Sequence, residues 1–459
     1  MQNLKIYNSF TQEKEAFKPA TAGKVKMYVC GMTVYDFCHL GHLRMLTAFD
    51  VIVRYLRFIG FDVTYVRNIT DVDDKIIKRA NENHEDFHAL AERFIQAMWD
   101  DLKALDLVLP DHEPRATEYI PQMIKLIEKL IQKKHAYVAV NGDVFFDVRS
   151  FKPYGCLSHR NIDDLESGAR VEINDVKKDP LDFVLWKSVK AGEPSWSSPW
   201  GEGRPGWHIE CSAMSLNLLG DHFDIHGGGK DLIFPHHENE IAQSEAATDK
   251  KFVSIWMHNG YVQVNQEKMS KSLGNFLTIR DLLKEYQPEA IRYFIIASHY
   301  RSPLQFNETA IPQARQALER FYIALRGLSK ASSIVDSAYE KQFIEAMNDD
   351  FNTPVALSVL FDLAHEIQRL RNVDEQAAAS HGALLQRLGC VLGILQMDPE
   401  VFLKSNNDID AAHVEELIAL RNKARAEKNW AEADRIRNEL SVLGVTIEDT
   451  AKGTTWRVG

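Results

Sequence analysis

The chain has 459 residues, 45% of them hydrophobic and 26% charged, with a formal net charge of −11. That composition belongs to a soluble globular protein of roughly two to four domains, and no apolar run reaches the ~18–20 residues a bilayer span requires. The acidic balance excludes a general nucleic-acid coat but leaves room for a local basic face.

Five widely spaced cysteines with no CxxC pair argue against a disulfide framework and allow a metal or catalytic role. The first residues lack the apolar core of a secretory signal, so the expected compartment is the cytoplasm, without membrane partners.

Residues 24–30 alternate polar and apolar side chains and predict a strand. Residues 31–41 predict a turn region. Residues 43–59 carry apolar side chains at helical spacing, and Gly60 supplies a stop. Residues 61–69 alternate again. The resulting βαβ unit puts His39-Leu40-Gly41-His42 at a strand-to-helix junction, where backbone N–H groups and the helix dipole face phosphates.

Residues 121–134 predict an amphipathic helix. Asn141-Gly142, between alternating segments 136–140 and 143–148, predicts a hairpin with a type I′ turn. Residues 163–206, rich in Gly, Pro, Ser and Trp, predict an irregular insertion. From Gly206 onward, strand-like and helix-starting segments run through 252–257 and 261–264, the expected second half of a doubly wound parallel sheet.

Beyond about residue 310 long helical patterns predict a bundle (313–328, 340–347, 353–373, 382–395). Residues 399–410 predict a polar linker. Two helices and a short β segment follow, with a capping box from Asn429 to Glu432 and a stop at Gly444. The expected division is 1–310 for an α/β catalytic domain (insertion about 113–205, lysine-loop region about 258–310), 311–400 for a helical bundle and 401–459 for a C-terminal domain.

Two motifs carry the chemistry. His39 and His42 offer imidazoles to developing phosphate charge, and Gly41 admits a nucleotide close to the backbone. Lys268-Met269-Ser270-Lys271-Ser272 offers two ammonium groups on a loop that can neutralise pyrophosphate. Alone, the first motif also reads as two surface histidines at a helix start, and the second equally as a solvated turn. Together, in this order, they predict an enzyme that activates a carboxylate with ATP.

Cys30, Cys211, His236 and Glu240 form a plausible Zn²⁺ set of two thiolates, one imidazole and one carboxylate. If Pro235 starts a helix, His236 and Glu240 share one face. His237 and Glu238 are neighbouring alternatives that spacing leaves open. Ligands drawn from distant segments favour a functional ion, and zinc bonds a thiolate far better than a hydroxyl. A substrate thiol would thus be told from its oxygen analogue by the metal.

Several segments jointly resemble cysteinyl-tRNA synthetase, a class I aminoacyl-tRNA synthetase, over nearly the whole chain. They are Cys30-Gly31-Met32-Thr33-Val34-Tyr35-Asp36 with the histidine motif, Arg67-Asn68-Ile69-Thr70-Asp71-Val72-Asp73-Asp74-Lys75, 206–212, 222–229, 235–240, the lysine loop, Asp349-Asp350-Phe351-Asn352-Thr353-Pro354, and Gly453-Thr454-Thr455-Trp456-Arg457.

The resemblance implies a Rossmann-type sheet with an insertion, then a bundle and an anticodon-binding domain. It implies cysteine activation by ATP with Mg²⁺, transfer to tRNA(Cys), one zinc per chain on Cys30, Cys211, His236 and Glu240, and catalytic His39, His42, Lys268 and Lys271. Thr70 and Trp207 would line the amino-acid pocket, and Asp224, His226, Gly227 and Gly228 the adenosine side. A monomer is expected.

Two departures stand out: Leu40 where isoleucine is commoner, and Asn265-Gln266 where a glycine turn is common. Arg421, Lys423, Arg425, Lys428, Arg435 and Arg437, with Trp430 and Trp456 for stacking, are candidates for tRNA contact, and Ile436, Leu440 and Leu443 for the packing stripe. A small-amine cysteine ligase would lack the tail at 411–459, and a non-catalytic relative would lose the phosphate motifs.

Overall fold

The computed structural model describes residues 3–161, 176–264, 267–268, 276–331, 338–405, 410–450 and 453–458. The chain divides into two compact units. One comprises Met1–Ile311, Gln342–Leu357 and Val391–Gly393; the other Pro312–Lys341, Ser358–Cys390 and Ile394–Gly459.

The first unit opens with a hairpin of β1 (Lys5–Asn8) and β2 (Glu13–Ala16). Then come β3 (Lys24–Thr33), α1 (Leu40–Phe58), β4 (Asp62–Thr70), α2 (Asp74–Asn83) and α3 (Phe87–Ala104). The predicted βαβ unit is thus present. Strand β3 is buried on both faces beyond Lys26, as a parallel strand covered by helices must be.

Helix α4 (Ile120–Gln132) leads into β5 (Ala136–Val138) and β6 (Val144–Phe146). Their connection differs from the expected two-residue turn. Gly142 N–H donates to the Ala139 carbonyl and Ala139 N–H to that of Asp143, so three residues form the loop. Gly142 takes the left-handed position at φ +88°, where a Cβ would be strained.

The insertion is more regular than its composition predicts. Strands β7 (Phe183–Ser188) and β8 (Gly203–Pro205) join β5 and β6 in a four-stranded antiparallel sheet. Phe183-Val184-Leu185-Trp186 is an apolar run too short to declare its period among the surrounding Pro, Gly and Ser.

Helix α5 (Trp207–Leu219), β9 (Phe223–Gly229), α6 (Glu238–Thr248) and β10 (Val253–Asn259) complete the core. The parallel sheet runs β10-β9-β3-β4, so its two halves meet between β3 and β9. The order of strand addition reverses there, leaving a crevice at the strand C-termini where open α/β sheets bind ligands. Beyond lie β11 (Val262–Val264), β12 (Glu267–Lys268), α7 (Ile279–Glu285), α8 (Pro288–Ile296) and β13 (Leu304–Phe306), with β11 central to a small sheet.

Helices α9 (Ala310–Leu325), α10 (Ala338–Asn348), α11 (Thr353–Leu370) and α12 (Glu375–Leu392) follow. The expected linker carries a helix of its own, α13 (Pro399–Lys404), capped by Asp398 and anchored by buried Phe402 and Leu403. Two buried side chains in a polar stretch are too few to show periodicity. The tail folds as α14 (Ala411–Ala426), α15 (Trp430–Val442) and the hairpin of β14 (Val445–Thr450) with β15 (Gly453–Val458). Its core holds Val414, Leu417, Ile418, Ile436, Leu440 and Trp456. Leu443 of the expected stripe is 41% exposed instead.

Candidate functional site

The crevice at the β3/β9 switch point is a cleft of about 370 Å³. It is lined by Cys30, Thr33, Tyr35, His39, His42 and Trp207 and by Gly229, Asp231, Asn259, Gly260 and Tyr261.

The histidine motif is built by helix capping. His39 is the N-cap of α1, and its Nδ1 accepts from the backbone N–H groups of Gly41 (3.0 Å) and His42 (3.2 Å). His42 Nδ1 accepts from His39 N–H at 3.3 Å. This reciprocal cap explains the three-residue spacing. With both Nδ1 atoms accepting, each neutral ring carries its proton on Nε2. The rings stack 3.6 Å apart, and Phe276 lies edge-on to His39.

Lys268 ends β12, whose backbone pairs with β11; Lys271 lies outside the described residues. The far flank is anchored beside the histidines. Leu40 N–H donates to the Leu277 carbonyl (3.0 Å) and Ile279 N–H to that of Cys38 (2.8 Å). Chain ends bounding residues 269–275 are therefore tied to β11 and to the start of α1.

Where Cys30 lines the cleft, four buried donors converge, all within 4.8 Å of one another: Cys30, Cys211, His236 and Glu240. Cys30 comes from β3, Cys211 from the start of α5, His236 from the turn before α6 and Glu240 from α6. The two Sγ atoms are 3.7 Å apart. Two sulfurs bound to one tetrahedral Zn²⁺ at ~2.3 Å would be ~3.8 Å apart. Cys30 Sγ lies 3.3 Å from Glu240 Oε1, and His236 Nε2 is 3.0 Å from the same oxygen. Donor chemistry and spacing both fit zinc.

Two of the four donors are already in the form a metal ligand needs, and two hold a proton that ligation would release. Burial opposes the Cys211 thiolate, but the hydrogen bond from Cys30 and the charge of His236 bring its pKa down to about 6. Burial also opposes the Glu240 carboxylate, yet His226 and His236 hold it at about 2. Burial disfavours the His236 cation, but Glu240 and Cys211 raise it to about 10. Cys30 stays a thiol, pushed up by burial and by Cys211.

A second layer lies behind, and sequence reasoning missed most of it. His226 Nε2 holds the other Glu240 oxygen at 2.8 Å. His237 Nε2 is 3.2 Å from Cys30 Sγ, while its Nδ1 meets His258 Nε2 at 2.8 Å, and His258 Nδ1 meets Ser9 Oγ at 2.8 Å. Burial keeps His237 and His258 neutral, the latter lowered to about 3. Cys30, His226, His237 and Glu240 thus form an alternative donor set sharing two members with the first. His258 is the penultimate residue of β10, and its place at a strand C-terminus was the one available signal.

The other expected residues divide. Trp207 is 39% exposed, lines the cleft and packs against the His236 ring, with centroids 4.3 Å apart and planes tilted by 31°. Thr70 is buried, its hydroxyl donating to Glu210 Oε2 at 2.8 Å. Asp224 is turned away from the cleft: its carboxylate accepts from the backbone N–H groups of Ala20 (2.7 Å) and Lys26 (2.8 Å). His226 lies behind the donors. Gly227 faces Phe49, whose ring would be 2.3 Å from a Cβ there, and Gly228 faces His237. Only Gly229 of that run lines the cleft. A larger hollow of about 890 Å³ beside the insertion shares Trp207 but none of the four donors.

In the tail, Trp456 is buried and its Nε1–H donates to Glu415 at 2.7 Å, so it cannot stack on a base. Arg421 and Arg425 pair with Asp449, and Arg435 with Glu432 and Glu439. Lys423, Lys428 and Arg437 are exposed, and Trp430 is 60% exposed.

Among the described residues no helix is long and apolar enough to cross a membrane. The family profile described as "tRNA synthetases class I (C) catalytic domain" matches residues 16–316, "DALR domain" matches 342–396, and "Cysteinyl-tRNA ligase anticodon binding domain" matches 410–457. The chain is 59% identical to the cysteine–tRNA ligase of Azotobacter vinelandii, over 99% of each. It is 58% identical to that of Coxiella burnetii (strain Dugway 5J108-111), over 99% of this chain and 100% of the relative.

Among solved structures, Mycobacterium tuberculosis methionyl-tRNA synthetase bound by methionyl-adenylate is similar at a TM-score of 0.59 and 14% identity, covering 83% of this chain and 91% of that one. That likeness is one of fold. Full-length identity and the catalytic-domain match together show that the chain belongs to the class I cysteine–tRNA ligase family.

Proposed function

We propose that the chain ligates L-cysteine to tRNA(Cys) in two steps, through a cysteinyl-adenylate made with ATP and Mg²⁺. The observation that carries this reading is the convergence of Cys30, Cys211, His236 and Glu240 beside a cleft that Cys30 and the histidine pair line. These four would hold Zn²⁺, which when bound offers the substrate thiolate an inner-sphere partner that a serine hydroxyl cannot match. This set is favoured over its alternative because it has two sulfurs and because His236 packs against Trp207, which lines the cleft. His226 and His237 then orient the carboxylate and Cys30 from behind.

The cysteine carboxylate attacks the α-phosphate in line, and pyrophosphate leaves. His39 and His42 donate from Nε2 to phosphate oxygens as charge develops, and Lys268 and Lys271 neutralise the departing pyrophosphate. Gly229, Asp231, Asn259 and Gly260 form the adenosine side. Trp207 closes the amino-acid pocket over His236, with Thr70 and Glu210 supporting its floor. The 2′-hydroxyl of the tRNA 3′ adenosine next attacks the acyl carbon, and AMP leaves. No protein nucleophile is needed; positioning supplies much of the rate. The tail at 401–459 reads the anticodon, and the bundle at 311–400 links it to the catalytic domain at 1–310.

The test is cysteine-dependent pyrophosphate exchange together with charging of total tRNA. Exchange without charging would indicate a small-amine ligase, and no exchange a non-enzyme.

A further inference from the structure

The turn between α8 and β13 is held from three sides, all within the first unit. Arg44, buried on α1, donates from Nη1 to the carbonyl of Ile295 (2.6 Å) and from Nη2 to that of His299 (2.6 Å). Thr353 Oγ1 donates to the Ile296 carbonyl at 2.7 Å. On the cleft side, Gly260 N–H donates to the Tyr300 carbonyl at 2.9 Å. A Cβ on Gly260 would sit 2.3 Å from the Ser302 carbonyl oxygen, so the cleft wall rests directly on this turn.

The segment that carries Thr353 also supplies the fully buried carboxylate of Asp350. Its Oδ1 accepts from Tyr300 Oη–H (2.8 Å) and Tyr7 N–H (2.9 Å), and its Oδ2 from Arg301 Nε–H (2.6 Å). Asp350 and Phe351 have φ of 61° and 54° in succession. Side chains other than glycine rarely adopt that backbone, and the surroundings must enforce it. Local strain, full burial and complete hydrogen bonding at one carboxylate point to a placement task.

We propose that Asp350 is a positioning residue for ATP. It fixes Tyr300 and Arg301; the Tyr300 carbonyl fixes Gly260; and Gly260, between Asn259 and Tyr261, fixes the adenosine wall of the cleft. The same turn leads into β13, which pairs with β11 and so supports the strand that carries Lys268. The inference rests on the assignment of the cleft to ATP made above.

Tyr300→Phe removes one hydrogen bond to the carboxylate and nothing else of the side chain, and Asp350→Asn weakens all three. The expected result in cysteine-dependent pyrophosphate exchange is a KM for ATP raised about threefold by Tyr300→Phe and about tenfold by Asp350→Asn. The KM for cysteine, the zinc content and kcat at saturating ATP should stay within about twofold. A fold defect would instead lower kcat alone or move both KM values together, and either result overturns the proposal. If Asp350→Asn is insoluble, Tyr300→Phe decides by itself. Exchange absent from the parent chain would sink the ATP reading; exchange present with an unaltered ATP KM in Tyr300→Phe would sink only this inference.

Discussion

Replacing Cys211 with serine changes one atom at the centre of the donor set. The sulfur lies 3.7 Å from Cys30 Sγ and 3.6 Å from Asn68 Oδ1, in a pocket closed to solvent. Its thiol is held at a pKa of about 6, so a thiolate is available near neutral pH, whereas a serine hydroxyl stays protonated there. Structural zinc sites bind with roughly 10–16 kcal/mol over four ligands, so one ligand is worth on the order of 3 kcal/mol, or about 100-fold in metal affinity. Cys211→Ser should lose zinc at a free-zinc level that saturates the parent. With Asn68 and Glu210 left around a hydroxyl, the fold should persist. Zinc quantitation against a metal buffer, paired with the cysteine KM in pyrophosphate exchange, measures both effects. A variant that keeps one zinc per chain and the parent's preference for cysteine over serine would refute the reasoning, because selectivity would then not reside in the metal.

Three other outcomes are expected. Lys271→Ala should slow adenylate formation about 100-fold in single-turnover experiments while changing ATP affinity by less than about threefold, since its charge is needed mainly as pyrophosphate develops. Burial pushes the Asp101 carboxyl up to about 6 despite Arg280, so the folded protein binds this proton more tightly than the unfolded chain does. The stability held below the ordinary carboxylate range is therefore lost as pH rises towards 6, on the order of 3 kcal/mol, and Asp101→Asn should raise Tm at pH 8 but not at pH 4; an equal gain at both would show that charge is not the cause. Trp430→Ala should raise the KM for tRNA by about 5–100-fold, as loss of a stacked base would, with pyrophosphate exchange and Tm unchanged.

The βαβ start and the long helices were legible because their periods run for many residues. The insertion sheet was not: strands of three to six residues among Pro, Gly and Ser carry no period of their own, and only pairing across β5 to β8 defines them. The type I′ expectation at Asn141-Gly142 identified the right residues but the wrong loop length, because Asn141 bonds Asp143 and draws a third residue into the turn. Trp456 read as a stacking surface because unpaired loop bases are read by stacking on aromatic side chains; tertiary packing against α14 overrides that.

The four donors were named from residue chemistry, yet their spacing carried almost no information, and the reason is topological. They come from three separate segments that meet at the switch point of the sheet: β3, the start of α5, and, after β9, the turn and start of α6, which supply both His236 and Glu240. Residues 30, 211, 236 and 240 become neighbours only because β3 and β9 pair in register at Val29 and Gly227. The histidines behind them follow the same logic, since β9 supplies His226 and β10 supplies His258 from adjacent strands. A site assembled this way cannot be shifted by moving one loop. A register slip of one residue in β3 would turn Cys30 to the opposite face and dismantle the donor set while leaving the hydrophobic core paired. The bulge between Val29 and Met32, which follows the regular pairing of β3 with β4, therefore sets the cysteine's direction as surely as the cysteine sets the metal.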